Sequence, residues 1–224
     1  REGLVIGSKN FSEQIILAEI MAQQIERHTD ILIERRTNLG GTIVCHKALI
    51  AGQIDLYPEY TGTSFAIVLR EKTISEPHVV YERVKAEYDM RFHVAVGQPF
   101  GFENTYALLI RGEDAARLEV KTLSDIVPHS GSWQAGVGHE FIERADGYSG
   151  LIEAYGFRFG APPLAMDLNL VYRAIEEGKV DIIVGNSTDA RIVLLGLAQL
   201  TDDRGYFPPY EAVPLVRKEA LVRY

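Results

Sequence analysis

Hydrophobic positions along the chain follow two alternating periods. Short apolar runs that suit buried strands are followed by longer stretches with apolar residues three and four apart, which suit amphipathic helices. In the first half the order is VIG, FSEQIILAEIMAQQIERH, ILIERR, TIVCHKALIAG and IDLY. In the second half WQAGVG precedes HEFIERADGYSGLIEAY, and LNLVYRAIEEG precedes VDIIVG. This alternation predicts an α/β protein with largely parallel strands.

The two halves also match each other in detail. ALIAGQIDLYPEYTGT aligns with AIEEGKVDIIVGNSTD, and each segment ends a helix at a glycine and then enters a strand through Asp. A glycine there suits the left-handed residue that closes many helices. SKNFSEQ aligns with GHEFIER in the same order along the chain. Two ordered matches indicate an internal duplication.

The duplication predicts where a ligand would bind. The first match places Tyr60 opposite Asn186, and the second places Gln14 opposite Arg144. Ligands of α/β proteins bind at the carboxyl ends of parallel strands, so two facing lobes would put Tyr60 and Asn186 on opposite walls of one cleft. Gln14 and Arg144 are expected near the first turns of equivalent helices, where backbone N–H groups favour anions.

Two segments rich in proline and glycine are expected to cross between the lobes. They are GQPFGFENTYALLI and YFPPYEAVPLV, and they carry Tyr106 and Tyr210. The predicted first lobe comprises residues 1–105 and 212–224, and the predicted second lobe comprises residues 106–211. Both crossings therefore bring a tyrosine towards the place predicted for Tyr60.

Composition narrows the class of protein. The 224 residues are 46% hydrophobic and 24% charged, which is typical of a soluble globular protein. A net charge of −8 without a basic cluster argues against a nucleic-acid partner. No apolar run approaches the length of a membrane span. The single cysteine, Cys45, is interpreted as a small buried hydrophobe. The histidines lack metal-ligand spacing and no phosphate loop occurs, so no metal or other cofactor is expected.

Several polar residues allow a structural as well as a functional interpretation. The run Ile54–Tyr57 is predicted as a strand with a turn from Pro58, so Tyr57 is expected in the core. A lone exposed tyrosine is more often a packing residue than part of a binding site. A lone arginine on a helix is more often a solvated charge. His139 and Glu140 resemble an acid–base pair, but their position at the start of a helix favours a helix N-terminal role over catalysis.

A set of motifs resembles one known family. GSKNFSEQ, NLGGT, GQIDLYPEYTGT, NTYAL, HEFIERADG, STD and FPPYEAVP occur in one order between Ile6 and Lys218. The chain is similar to the substrate-binding proteins of ABC importers for quaternary ammonium osmoprotectants such as glycine betaine, carnitine and choline. The resemblance implies a two-lobed periplasmic-binding-protein fold of type II, with two Rossmann-like lobes and a ligand cleft between them. It implies a binding protein outside the cytoplasm, not an enzyme, with an ABC permease as partner.

The resemblance also implies a set of ligand contacts. A quaternary ammonium has no N–H to donate, so the negative faces of aromatic rings hold it. In the family four tyrosines form this cage, and Tyr60, Tyr106 and Tyr210 match three of them. Asn186 stands at the fourth position. The family's contacts to a ligand carboxylate correspond here to Lys9, Gln14, Thr63 and Arg144.

Asn186 predicts a departure in ligand choice. It removes one ring and offers an amide, so a ligand larger than glycine betaine with a further hydrogen-bonding group is expected, such as ergothioneine or carnitine. Choline is disfavoured, because it would leave Arg144 without an anion. A sensory domain with the same site is the alternative function. The chain stops short of the family's usual C-terminal helices, so either the sequence is truncated, as for a domain cut from a larger protein fused to its permease, or the tail is shorter. A monomer is expected.

Overall fold

The computed structural model describes residues 3–72, 74–144 and 146–224. Arg1 and Glu2, with which the predicted first lobe begins, and Ala145 of the HEFIERADG motif lie outside the described residues. Contacts between Cα atoms divide the chain into unit 1, Arg1–Glu103 with Pro209–Tyr224, and unit 2, Asn104–Pro208.

Helices and strands alternate along the described chain as the hydrophobic pattern predicts. The elements up to the first crossing are β1 (Leu4–Gly7), α1 (Ser12–His28), β2 (Ile33–Arg36), α2 (Thr42–Ile50), β3 (Leu56–Tyr60), α3 (Thr61–Thr63), α4 (Pro77–Phe92) and β4 (Val94–Val96). A π-helical turn, Ser64–Val68, continues α3. The elements after the first crossing are β5 (Tyr106–Arg111), α5 (Gly112–Leu118), β6 (Ala135–Gly138), α6 (His139–Glu143), α7 (Tyr148–Tyr155), β7 (Leu164–Met166), α8 (Leu168–Glu176), β8 (Ile182–Asn186), α9 (Arg191–Leu194), β9 (Leu197–Gln199), β10 (Ala212–Arg217) and α10 (Lys218–Arg223).

The described strands form one mixed sheet in each unit. The strand order is β2-β1-β3-β10-β4 in unit 1 and β7-β6-β8-β5-β9 in unit 2. In each sheet the first three strands are parallel, and the fourth, β10 or β5, is antiparallel to both its neighbours. The predicted α/β fold is confirmed. The prediction that the strands are largely parallel holds for three of the five strands in each sheet. Parallel neighbouring strands need a helical connection between them. The fourth strand of each sheet instead follows the segment by which the chain enters from the other unit.

The internal duplication extends to single hydrogen bonds. After α2 and α8 the chain turns at Gly52 and Gly178, both with φ of +70°. The following residues, Gln53 and Lys179, donate their N–H groups back to Ala48 and Ala174 at 2.8 and 2.9 Å. This bond is the signature of a Schellman motif, for which glycine is favoured because its φ is positive. The predicted helix ends are therefore confirmed in both units.

An aspartate after each of these turns holds the start of the sheet. Asp55 accepts a hydrogen bond from the N–H of Val5 at 2.8 Å and one from Arg217 at 3.3 Å. Asp181 accepts one from the N–H of Gln134 at 2.7 Å and one from Arg111 at 3.3 Å. Equivalent aspartate and arginine pairs thus join equivalent strands in the two units.

Each unit encloses its own hydrophobic core. Tyr57 and Cys45 are fully buried in unit 1, as predicted, among the side chains of α2, β3 and α4. A second cluster covers the other face of this sheet, beneath α1. Unit 2 likewise has a cluster on each face of its sheet. None of the helices among the described residues is long and apolar enough to cross a membrane.

The strand that carries the PEY sequence is longer than predicted. β3 continues through Pro58 to Tyr60, where the sequence predicted a turn. β1 pairs with β3 only at Leu56, while β10 pairs with it as far as Tyr60. Beyond Leu56 the strand therefore has a partner on one side, and proline is tolerated at such an edge because no ladder hydrogen bond is lost.

Candidate functional site

The predicted site residues are distributed over both units. Unit 1 contains Lys9, Gln14, Tyr60, Thr63 and Tyr210, and unit 2 contains Tyr106, Arg144 and Asn186. Tyr210 was predicted in the second lobe, but its contacts assign it to the unit that contains Tyr60. It follows the second crossing and leads directly into β10, which belongs to the unit 1 sheet.

Tyr60 is held on several sides within unit 1. It is the last residue of β3, and its side chain is 3% exposed. Its hydroxyl donates a hydrogen bond to Glu13, and its ring stacks on Phe11 with centroids 6.3 Å apart. The Lys9 ammonium lies 4.8 Å from the centre of the Tyr60 ring. This distance is typical of a cation–π contact, so the ring already presents its face to a cation.

Lys9 makes an ion pair with a buried glutamate. Its Nζ is 2.6 Å from Glu59 Oε1 and 3.4 Å from Thr42 Oγ1. Glu59 is fully buried and also accepts hydrogen bonds from the Tyr57 hydroxyl at 3.2 Å and the Tyr60 N–H at 2.8 Å. A buried carboxylate needs such partners, because burial without them is costly. The positive charge of Lys9 is therefore compensated inside unit 1.

Gln14 lies in the first turn of α1, as predicted. It is fully buried, and its Oε1 accepts a hydrogen bond from the Lys9 N–H at 3.3 Å. Its Nε2 has no hydrogen-bond partner among the described residues. A buried amide donor without an acceptor costs about 1–3 kcal/mol. Gln14 thus has an unused donor beside Lys9.

The YTGT turn brings Thr63 and Tyr210 into the same region of unit 1. Thr63 ends α3 and is 4% exposed. Thr61 binds the second crossing, donating to the Pro209 carbonyl at 3.3 Å and accepting from the Glu211 N–H at 3.1 Å. A Cβ on Gly62 would lie 2.4 Å from the Pro209 carbonyl oxygen and 2.7 Å from the Tyr210 ring. Glycine is therefore required for Tyr210 to pack against this turn.

Tyr106 and Asn186 are neighbours on adjacent strands of unit 2. Tyr106 begins β5 and pairs directly with Asn186 at the end of β8, so their side chains share one face of the sheet. Both side chains are half-buried. The Tyr106 ring contacts Phe141 and Phe207, with centroids 4.7 and 5.7 Å away. The Arg144 guanidinium carbon lies 5.0 Å from the centre of the Tyr106 ring.

Arg144 does not lie in the first turn of a helix. It follows the last residue of α6 in extended conformation, and α7 begins only at Tyr148. The single helix predicted over this stretch is therefore wrong. The chain reverses tightly at Gly147, where a Cβ would lie 1.9 Å from the Phe141 carbonyl oxygen. Arg144 thus lies after the end of α6 and before the start of α7.

The Arg144 side chain makes a bidentate ion pair with Asp146. Its Nε and Nη2 donate to the two Asp146 carboxylate oxygens at 2.7 and 2.6 Å, and both residues are buried. Its Nη1 lies 3.8 Å from Glu140. The pKa of the Tyr206 hydroxyl is raised to about 12, mainly by burial and next by the charge of the Asp146 carboxylate. Choline was disfavoured because Arg144 would lack an anion, and this reason is wrong, since Asp146 supplies one.

Four residues that contact Tyr60, Lys9 or Arg144 were not predicted from the sequence. Phe11 stacks on Tyr60, and the carboxylates of Glu13, Glu59 and Asp146 bind Tyr60, Lys9 and Arg144. All four lie within motifs that already pointed to the site. The signal available in the sequence was an acidic residue close to a residue predicted as a cationic or aromatic ligand contact. His139 and Glu140 begin α6, as expected for helix N-terminal residues.

Comparison with known proteins identifies the family. The profile of the family described as substrate binding domain of ABC-type glycine betaine transport system matches residues 2–224. The Helicobacter pylori ergothioneine transport permease/ergothioneine binding protein EgtU is 40% identical over 99% of this chain, which spans 39% of that protein. The Listeria monocytogenes carnitine transport binding protein OpuCC is 34% identical over 100% of this chain and 73% of its own length.

A solved structure supports the same assignment. The crystal structure of a glycine betaine/carnitine/choline ABC transporter superposes with a TM-score of 0.79 at 31% identity, covering 99% of this chain and 82% of the other. The two α/β units with mixed sheets are those of type II periplasmic binding proteins, so the predicted fold class is confirmed. The chain belongs to the family of substrate-binding domains of ABC-type glycine betaine transport systems.

Proposed function

We propose that the chain binds a small trimethylammonium compound and acts as the substrate-binding component of an ABC importer. Tyr60, Tyr106 and Tyr210 hold the methylated cation in a cage to which both units contribute. The observation that carries the proposal is that two of these rings lie against cationic side chains, Lys9 at 4.8 Å and Arg144 at 5.0 Å. Rings arranged to face cations suit a ligand that cannot donate a hydrogen bond.

The other end of the ligand is proposed to meet polar side chains. Gln14 Nε2, the donor without a partner among the described residues, offers a hydrogen bond to an acceptor atom of the ligand. Thr63 adds a hydroxyl, and Lys9 of unit 1 and Arg144 of unit 2 are the charged residues proposed for this end of the ligand. Forming the missing bond to Gln14 would recover about 1–3 kcal/mol that its burial costs.

Asn186 favours a betaine that is larger than glycine betaine. A tyrosine there would stand beside Tyr106 on the adjacent strand, whereas asparagine leaves space and offers two donors and an acceptor. A ligand with an additional polar group, such as ergothioneine or carnitine, fits that position. The relatives named for ergothioneine and for carnitine, 40% and 34% identical, support this class of ligand.

The proposed partner is an ABC permease, and the proposed location is outside the cytoplasm. The family model and its carnitine-binding member support both proposals. The Helicobacter relative is named as permease and binding protein together, and this chain matches 39% of it. A permease fused in the same polypeptide is therefore proposed, and the full reading frame of the gene tests it.

Calorimetric titration tests the proposed function. The panel contains glycine betaine, choline, carnitine, proline betaine, ergothioneine and simple amino acids. We expect at least one methylated ammonium compound to bind in the micromolar range or tighter, and the amino acids to bind far more weakly. NMR of the recovered ligand should show it unchanged, as for a binding protein. Binding of amino acids alone would contradict the proposal.

A further inference from the structure

The pairing of β5 with β8 continues one residue beyond the ends of both strands. The Ser187 N–H donates to the Thr105 carbonyl at 2.9 Å, and the Thr105 N–H donates to the Ser187 Oγ at 3.1 Å. A regular antiparallel pair would use two backbone carbonyls here, so the serine hydroxyl takes the place of its own carbonyl. The chain therefore leaves β8 for a turn at Ser187 while Thr105 keeps an acceptor.

This additional pair adjoins two residues that are proposed to contact the ligand. Thr105 precedes Tyr106, and Ser187 follows Asn186, the residue with which Tyr106 pairs. Bonded and non-bonded pairs alternate in an antiparallel ladder, so Tyr106 and Asn186 form a non-bonded pair, in which the side chains lie closest. Among the described residues β9 pairs with β5 at residues 109–111 and not at Tyr106. Strand pairing therefore restrains the start of β5 from the β8 side.

The turn after β8 is fixed at its other end by an ion pair. The Asp189 N–H donates to the Asn186 carbonyl at 3.0 Å, and the Asp189 carboxylate accepts from Arg191 Nε and Nη2 at 2.9 and 2.6 Å. A bidentate pair of this kind fixes the orientation of both groups. The Arg191 guanidinium carbon lies 3.9 Å from the centre of the ring of Tyr172, a buried residue of α8. Ser187 is therefore an acceptor on a turn that is anchored to a helix.

We infer that Ser187 is a positioning residue that fixes the Tyr106 ring in the proposed ligand site. This inference rests on the proposed function. The Ser187 hydroxyl acts through the Thr105 N–H, because holding the residue before Tyr106 keeps the ring where it packs against Phe141. Without the hydroxyl, the Thr105 N–H loses its acceptor and the start of β5 gains freedom to move. The ring then spends less time in the position that contacts the methylated cation.

A double-mutant cycle separates an effect through Tyr106 from a general structural effect. The probe is whichever of glycine betaine, carnitine and ergothioneine the unmodified protein binds most tightly. Ser187→Ala should weaken its binding by about three- to tenfold, as expected for the loss of one neutral hydrogen bond. In the Tyr106→Ala background the same change should weaken binding by less than about twofold, because the ring is already absent. A general distortion of unit 2 would weaken binding equally in both backgrounds.

Three further variants control for side-chain shape and for the loss of a serine. Ser187→Thr keeps the hydroxyl and should retain most of the affinity, whereas Ser187→Val has nearly the same shape as threonine and should behave like Ser187→Ala. Ser130→Ala is the matched control in unit 2, because the Ser130 Oγ also accepts a backbone N–H, from Arg158 at 3.1 Å. It should leave the affinity unchanged within about twofold.

Hydrogen exchange in the unmodified protein tests the bond itself. The Thr105 amide should exchange at least about tenfold more slowly than an exposed loop amide, and Ser187→Ala should remove this protection. Exchange of Thr105 at the rate of an exposed loop would overturn the inference, and this measurement decides it even if the variants do not fold.

The binding measurements separate the inference from the proposed function. Unchanged affinity in Ser187→Ala, or an equal loss with and without the Tyr106 ring, would overturn the inference and leave the proposed function standing. Failure of every quaternary ammonium compound of the panel to bind would overturn the proposed function and this inference with it.

Discussion

In the proposed site, the rings of Tyr60 and Tyr106 are each expected to contribute to ligand affinity. Tyr60→Ala and Tyr106→Ala should each weaken binding of the preferred betaine by about 1–3 kcal/mol through lost cation–π attraction and lost apolar contact. Tyr60→Phe keeps the ring and loses only the hydrogen bond to Glu13, so it should retain most of the affinity. Calorimetric titration measures these differences. Alanine variants that bind as tightly as the unmodified protein would remove the aromatic cage.

Asn186 is expected to limit the size of the ligand in the proposed site. Asn186→Tyr should tighten glycine betaine binding by about one ring's contribution, 0.5–2 kcal/mol. It should weaken a larger betaine such as ergothioneine through steric overlap, since the new ring would stand beside Tyr106. The ratio of the two dissociation constants is the readout. A protein that already prefers glycine betaine to every larger betaine would show that this role of Asn186 is wrong.

At the scale of elements, the duplicated aspartates stabilise the two sheets unequally. Asp55 is 9% exposed and binds the N–H of the fully buried Val5, whereas Asp181 is 35% exposed and binds the half-buried Gln134. Water can replace the second carboxylate more easily than the first. Asp55→Ala should therefore cost about 2–3 kcal/mol of the free energy of unfolding and Asp181→Ala about 1 kcal/mol. Urea denaturation checks the order, and a larger loss for Asp181→Ala would contradict it.

The packing of His46 on α2 against the aromatic rings of α4 is expected to make unit 1 sensitive to acid. His46 is buried between the rings of Tyr88 and Phe92, and its Nδ1 has no hydrogen-bond partner among the described residues. Burial, and then the charge of Arg91, lowers its pKa from 6.5 to about 4. The folded state therefore binds this proton less readily than the unfolded state. Stability should fall as the pH drops from about 6.5 towards 4, by up to about 3 kcal/mol.

His46→Phe should remove this contribution to the acid sensitivity. Urea denaturation at pH 7 and pH 5 would show a smaller loss of stability in the variant than in the unmodified protein. His78→Gln, which changes an exposed histidine of the same unit, is the control and should behave like the unmodified protein. Equal losses in His46→Phe and the unmodified protein would show that His46 does not titrate as argued.

At the scale of the whole molecule, the sequence predicts repeated elements better than side-chain pairing. The matched helix ends at Gly52 and Gly178 are local signals, since glycine is favoured where φ is positive. The Lys9–Glu59 pair joins residues 50 apart, and only the packing of β3 against the start of the chain brings them together. The reversal at Gly147, just before α7, also depends on a close contact that no periodicity shows. The sequence therefore predicts the repeated helix ends but not the carboxylate partners of Lys9 and Arg144.

The most direct test of cation recognition compares ligands of one shape and different charge. Replacing the quaternary nitrogen by carbon turns choline into 3,3-dimethylbutan-1-ol and glycine betaine into 3,3-dimethylbutyrate. Calorimetric titration should show each cationic compound binding at least about tenfold tighter than its carbon isostere, because aromatic rings attract the charge and not only the methyl groups. Equal affinities within a pair would contradict a cage that recognises the trimethylammonium cation.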